Sequence, residues 1–303
     1  MKHPSLSSSG KTILITGATG FLGSSITKCF LSRGYNVAIL KRKTSPLSRL
    51  STIADKILSF DVEDGLSKPF EVCGEIDTVV HTAVDYGRNG QLPEALYEVN
   101  TIFPLKLLFE AIRNKVNMFV NADTALQSHV NAYSLSKHQL TEWGRLLGCQ
   151  YDFRFINMRL EHMYGPGDDE KKFPHFVIKS LLRNVPELLL TPGEQKRDFV
   201  YIDDVVSAYD IIMATIPQKD SGFYEFSIGS GVPLSIRDFT EKAKILTGSA
   251  TILKFGALPY RKNEVMLSMA DIRAIKNLGW VHKVMLDEGM KKMVESEKSL
   301  CVF

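Results

Sequence analysis

From Thr12 onward, short apolar runs alternate with longer amphipathic stretches. TILIT (12–16) is a β-branched run. Glycines follow it, and then an amphipathic helix runs as far as Arg33. Gly34 stops that helix, and NVAIL (36–40) predicts a second buried strand. KILSFDV, DTVVHTA, VNMFVNAD and DFRFINMRL read as further strands. LYEVNTIFPLKLLFEAIRN and the stretch from about Ala132 to Leu147 read as helices. Strands alternating with helices in this way predict an α/β fold with a doubly wound parallel sheet.

After Arg159 the alternation loosens. EHMYGPGDDEKKF reads as a loop and PHFVIKSLLRN as a helix. PELLLTPGEQKRDFVYIDDV predicts an extended strand pair leading into a helix. YEFSIGSG predicts a strand, and SIRDFTEKAKIL and DIRAIKNLGW predict helices. No internal repeat interrupts the order.

Composition narrows the function classes. The 303 residues are 44% hydrophobic and 23% charged, with a net charge of +3. No basic block alternates with aromatics, so nucleic acid is not an expected partner. Cys29, Cys73, Cys149 and Cys301 are scattered without a C-x-x-C pair, which fits a reducing compartment and gives no metal site. The seven histidines have no ligand-like spacing. MKHPSLSSSGK is a polar lead-in without the apolar centre of a signal peptide, and SLCVF is not a C-a-a-X box. No apolar run approaches the ~20 residues of a membrane span. The expected location is cytoplasmic, with no membrane partner.

TGATGFLG sets Gly17, Gly20 and Gly23 between a strand and the opening of a helix, with Thr19, Phe21 and Leu22 among them. Glycine lets the turn form and lets backbone approach a pyrophosphate, which the helix N-terminus then faces. Asp61, beside Val62 at the end of the third strand, is placed to bond an adenine amine, or is a plain loop carboxylate. An NAD site usually carries Asp or Glu at the end of the second strand for the ribose 2′-hydroxyl. Here that position reads Lys41, Arg42, Lys43. This positive cluster suits a 2′-phosphate and favours NADPH, the alternative being a solvated basic turn.

NAYSLSK puts Tyr133 and Lys137 four positions apart, on one face of a helix. An ammonium there is expected to lower the pKa of the phenol, so that Tyr133 can give or take a proton near neutral pH.

With the glycine turn and this Tyr-Lys pair, the chain resembles the extended short-chain dehydrogenase/reductases that act on nucleotide sugars. Thr82 and Ala83 in HTA, Asn100 in YEVNTIF, and the YGPGD, RDFVYIDDV and LGW segments also match. The resemblance implies a Rossmann domain over 1–160, to which 198–230 returns, and a smaller interleaved substrate domain over 161–197 and 231–303. It implies cofactor contacts from the glycine turn, Lys41 to Lys43, Asp61, Val62, Thr82, Ala83 and Asn100. It makes Tyr133 the proton donor or acceptor and Lys137 the group that holds the ribose and tunes Tyr133. Thr124 becomes the hydroxyl beside the sugar oxygen. Thr124 lies only nine residues before Tyr133, so Ser128 is the fallback.

RLEHMYGPGD, TPGEQKRDFVYIDDVV and YRKNEVM narrow the resemblance to the CDP-abequose synthase group, 4-reductases of CDP-4-keto-6-deoxyhexoses. It implies a nucleotide-diphosphate sugar as substrate, held by Tyr86, Thr124, His162, Arg197 and Arg261, the arginines on the diphosphate. His162 stands where many relatives have Asn. Related dehydratases carry an Asp-Glu pair directly after the Thr; here Ala125 and Leu126 follow Thr124, which argues against water elimination. The alternatives are an epimerase with tightly bound NAD and a non-catalytic dinucleotide sensor. In the family, long helices corresponding to Pro93–Arg113 and Ala132–Leu147 pair two chains, so a homodimer is expected.

Overall fold

A computed structural model describes residues 10–88, 90 and 92–300. The polar lead-in before Gly10 and the residues from Cys301 on lie outside the described residues. One compact unit reaches to Arg159 and takes in Tyr209–Phe226. The other comprises Leu160–Ala208 and the chain from Ser227.

The first unit opens with β1 (Thr12–Thr16), α1 (Phe21–Ser32), β2 (Asn36–Lys41), β3 (Leu58–Asp61), α2 (Lys68–Cys73) and β4 (Thr78–His81). It continues through α3 (Pro93–Tyr97), a π-helical turn (Glu98–Ile102) and α4 (Phe103–Arg113) to β5 (Met118–Thr124), α5 (Ala132–Gln150) and β6 (Arg154–Leu160). The later elements are β7 (His162–Tyr164), α6 (Phe173–Leu182), β8 (Glu187–Leu190), β9 (Lys196–Tyr201), α7 (Ile202–Thr215) and β10 (Gly222–Ile228). β11 (Pro233–Ser235), α8 (Ile236–Thr247), β12 (Ile252–Phe255), α9 (Arg273–Lys276) and α10 (Leu286–Leu300) complete the chain.

A seven-stranded sheet runs β10-β6-β5-β4-β1-β2-β3. The pairings of β1 with β2 and β4, of β2 with β3, and of β4 with β5 are parallel. This is the doubly wound Rossmann arrangement that the alternation predicts. All five residues of β1 and all four of β4 are buried, as strands covered on both faces must be. Parallel pairing brings the carboxyl ends of β1, β4 and β5 to one edge, with Thr16 opposite His81 and His81 opposite Asn121.

Two packing features set α5 against that sheet. Phe119, Phe155 and Phe223 stack with centroids 5.6 and 6.0 Å apart. Gly144 lies over this row so closely that a Cβ would fall 2.3 Å from the Phe155 ring. The helix therefore approaches the strands more nearly than a side chain would allow, and the side chains of its N-terminal half lie within reach of the ends of β4 and β5.

In the second unit the structure departs from the sequence reading twice. Residues 162–164, expected in a loop, form β7, which pairs with β9. The expected strand pair β8 and β9 does not pair with itself: β8 pairs with β12, and β9 with β7 and β11. Local pattern identified these strands, but their partners are remote in sequence. The LGW segment is a buried anchor. Trp280 is 1% exposed, and its indole N–H donates to the Asp204 carbonyl and the Ser207 hydroxyl.

Candidate active site

The first turn of α1 has no acidic residue and no side-chain cap, so its backbone N–H groups lack a side-chain partner. The turn before it closes with a Gly20 N–H to Gly17 carbonyl bond of 2.9 Å. Gly17 has φ +70°, and a Cβ there would lie 2.5 Å from the Ala83 nitrogen. A Cβ at Gly23 would lie 2.2 Å from the Gly17 oxygen. Side chains are thus excluded, leaving bare backbone beside a helix N-terminus, which suits a dinucleotide pyrophosphate. Thr19 and Phe21 are half-buried at this turn, while Leu22 belongs to the core. Thr82 donates to the Thr16 carbonyl at 2.8 Å, tying the exit of β4 to that of β1.

At the end of β2 the three basic residues part ways. Lys41 is bound to Asp61 at 2.6 Å, at the end of β3 and next to the half-buried Val62. Lys43 donates its backbone N–H to Glu63 and lies 3.4 Å from Asp64. Arg42 is exposed and has no ion-pair partner among the described residues. The Asp61 carboxylate, read as an adenine ligand, is engaged by Lys41. Asn100 sits in the π-helical turn with its amide fully used: it accepts from the Asp85 N–H and donates to the Asp85 carbonyl and to Ser136. It thereby fixes the loop that carries Tyr86.

Asn131 caps α5, accepting the Ser134 N–H at 2.8 Å while the Ser134 hydroxyl receives the Asn131 N–H at 3.2 Å. This reciprocal cap contributes about 1 kcal/mol and fixes where the helix begins. Tyr133 falls in its first turn and Lys137 one turn on. Tyr133 is half-buried, and Thr124 at the end of β5 is buried. Ser128, the fallback, is exposed. Tyr86 packs against Tyr133 with centroids 5.2 Å apart, and the Arg88 guanidinium lies 4.6 Å over Tyr86. The structure thus brings Thr124, Tyr133, Lys137 and Tyr86 together.

The expected lowering of the Tyr133 pKa by Lys137 is reversed. Burial, first, and the neighbouring Tyr86 push it above the ordinary range, and the opposing influences are the Thr124 side chain and Arg88. Lys137 is 2% exposed, and burial lowers its pKa from 10.5 to about 8 while Asp123 acts to raise it. His81, fully buried with its Nδ1 on Thr16, is kept neutral by burial and by Lys137. At pH 7 the site therefore holds a neutral phenol beside a charged, desolvated lysine.

The diphosphate-type residues belong to the second unit. Arg197 is bound to Glu264 and donates to the Val265 carbonyl, and Arg261 is near enough to disfavour its charge. Arg261 itself is exposed. His162 lies 3.5 Å from the buried Glu161, which also accepts from Ser268 at 2.7 Å. Asp123 and Arg88 escaped the sequence reading, since neither lies in a motif and only the fold gives it neighbours, whereas Glu264, a candidate partner of these arginines from the sequence, is the carboxylate that Arg197 meets. Among the described residues no His, Cys, Asp and Glu cluster could hold a metal, and no helix is long and apolar enough to cross a membrane.

The pattern of the NAD dependent epimerase/dehydratase family matches residues 13–229. The chain is 32% identical to CDP-abequose synthase of Salmonella muenchen, over 95% of this chain and 98% of that protein. It is 30% identical to CDP-abequose synthase of Salmonella typhimurium, over 93% and 97%. Among solved structures it resembles UDP-glucose 4-epimerase of Thermotoga maritima with UDP-glucose. The TM-score is 0.86 at 24% identity, covering 96% of this chain and 99% of that one.

The Lys137 environment predicts a stability effect. A lysine held at about 8 in the folded chain against 10.5 in solution costs about 3 kcal/mol at low pH, at 1.36 kcal/mol per pH unit. Between those two values the unfolded chain binds more protons, so the cost fades as pH rises. Urea denaturation should find Lys137→Met more stable than the parent at pH 7, with the gap narrowing toward pH 10. A gap that is absent at pH 7 would contradict it.

Proposed function

The chain belongs to the NAD dependent epimerase/dehydratase family, and on that footing we propose that it reduces the C4 keto group of a nucleotide-diphospho-4-keto-6-deoxy sugar with NADPH. The CDP-linked sugar is the leading candidate. The observation that carries the reading is the Tyr133 ring, 5.2 Å from that of Tyr86, one helical turn from the buried Lys137 and near the buried Thr124 at the end of β5. The glycine turn would hold the pyrophosphate and Arg42 the 2′-phosphate; bound there, the dihydronicotinamide supplies a hydride. Tyr133, kept protonated by burial, donates its proton to the oxygen of the reduced carbonyl. Thr124 orients that oxygen by hydrogen bonding, and charged Lys137 favours the phenolate left behind. Ala125 and Leu126 after Thr124 supply no acid-base pair for dehydration. The identity to two CDP-abequose synthases supports the nucleotide and the deoxysugar class.

A soluble homodimer is part of the proposal. Leu140 and Leu107 are buried against the parent unit, but Leu135, Trp143 and Leu146 stand exposed along α5, and Tyr97 on α3 is exposed as well. An apolar face of this kind marks an association surface, and a two-fold dimer is the commonest closed solution.

Four measurements test the reading. Purified protein with NADPH should consume CDP-4-keto-6-deoxyglucose faster than its dTDP- and GDP-linked counterparts. Tyr133→Phe should lower kcat by ~10²–10⁴-fold with NADPH binding preserved; turnover near that of the parent removes Tyr133 from the chemistry. Arg42→Ala should weaken NADPH roughly tenfold to hundredfold and NADH little, since the lost charge-assisted bond is worth roughly 1.5–3 kcal/mol. Equal weakening of both cofactors would reverse the cofactor assignment. Light scattering at micromolar concentration should give twice the 34.0 kDa chain mass; a mass of one chain would refute the dimer.

A further inference from the structure

Directly before Thr124 stands Asp123, 4% exposed, with a carboxylate that binds three elements at once. Its Oδ1 accepts the Thr124 N–H at 2.7 Å. Its Oδ2 accepts from the Thr141 hydroxyl and from the Asn157 amide, each at 2.9 Å. Thr141 lies one helical turn after Lys137 on α5, and its hydroxyl also reaches the Lys137 carbonyl at 3.4 Å. Asn157 on β6 is itself fixed, accepting from Asn121 at 2.8 Å and donating to Glu225 at 2.9 Å. These donors to Asp123 are neutral, so they satisfy its oxygens without cancelling its charge. Thr141 ties this carboxylate to the turn of α5 that carries Lys137, and both Asp123 and Lys137 are almost wholly buried; Lys137 is the cation whose charge Asp123 favours.

We propose, resting on the reductase reading above, that Asp123 is a positioning residue whose buried carboxylate fixes the Thr124 backbone and keeps the Lys137 side chain charged. A purely structural role needs only hydrogen-bond acceptors at this point, which a neutral side chain can supply in part. A charge is needed only if a nearby cation has to be held in a site that disfavours it. Lys137 is such a cation: at 2% exposed it is cut off from water almost wholly. The other titratable groups do not provide the counter-charge. His81 from β4 is neutral and acts against Lys137. Tyr133 stays protonated, with Tyr86 against it and Arg88, a further cation, over Tyr86. His138 is turned to the Leu126 carbonyl at 2.7 Å. Glu225 lies behind Asn157 and faces Arg159 at 3.9 Å.

The test is Asp123→Asn, read in two ways. The side-chain nitrogen of Lys137 is titrated by NMR in nitrogen-15 lysine-labelled protein, with the resonance assigned by its loss in Lys137→Met. The pH dependence of kcat/KM is measured with NADPH and the sugar nucleotide. Loss of a buried counter-charge typically moves a pKa by ~1 unit or more, so the lysine midpoint and the alkaline limb of kcat/KM should both fall by about that much in Asp123→Asn. Thr141→Val, which removes a hydrogen bond and leaves the carboxylate, should leave the lysine midpoint in place. If Asp123→Asn does not fold, Asp123→Ser keeps an oxygen for the Thr124 amide and makes the same comparison. A lysine midpoint unchanged by loss of the carboxylate, with only thermal stability reduced, overturns the proposal. A midpoint that falls in a protein without reductase turnover upholds the pairing and rejects the reductase reading instead.

Discussion

At the carboxyl end of β1 the backbone passes so near itself that no Cβ fits at Gly17 or Gly23. Much of the first unit's chemistry depends on this crowding. It lets α1 begin against the strand with its N–H groups facing outward. It lets the segment leaving β4 lie against the turn, where Thr82 clasps Thr16. From there the same segment delivers Tyr86 to the ring of Tyr133. A side chain at either glycine would push apart the turn and the β4 exit together. The glycine turn and the placing of Tyr133 are in this sense one packing problem with one solution.

Electrostatically the site is largely buried, and Lys137 keeps its charge there with Asp123 acting to hold it. Burial drives Tyr133, His81 and Lys137 toward their neutral forms, each in the direction its chemistry dictates. Spacing in the sequence put the phenol and ammonium on one helical face, but it could not show how completely water would be excluded. The tuning therefore comes from burial and from Thr124 and Arg88, where the sequence pattern pointed to Lys137 acting on Tyr133.

The sheet was legible because parallel strands buried on both faces are continuous apolar runs, and TILIT and TVVH carry that signal without ambiguity. The glycine turn, Tyr133 and Lys137 were legible because their roles require fixed local spacing. What pattern could not give was pairing between distant segments. β7 is only three residues long, and β8 meets β12 across more than one intervening helix. For the same reason the sequence showed a basic cluster at Lys41 to Lys43 but not that Asp61 engages one member of it. Charges without a motif, such as Asp123, acquire meaning only from the neighbours that folding supplies.

The π-helical turn at Glu98–Ile102 has an implication for how this chain can change by descent. A π turn closes its hydrogen bonds one residue later than an α turn, so it holds one residue more than the helix around it needs. Losing one codon there would let α3 run straight into α4. The short helix α3 before the deletion would swing by roughly 100° about the helix axis relative to α4. Leu96 would leave the core it fills, and Asn100 would lose its grip on the Asp85 segment. The sheet would be untouched. A frame-preserving deletion is thus a single evolutionary step that could uncouple this loop from the fold, one that no substitution reproduces.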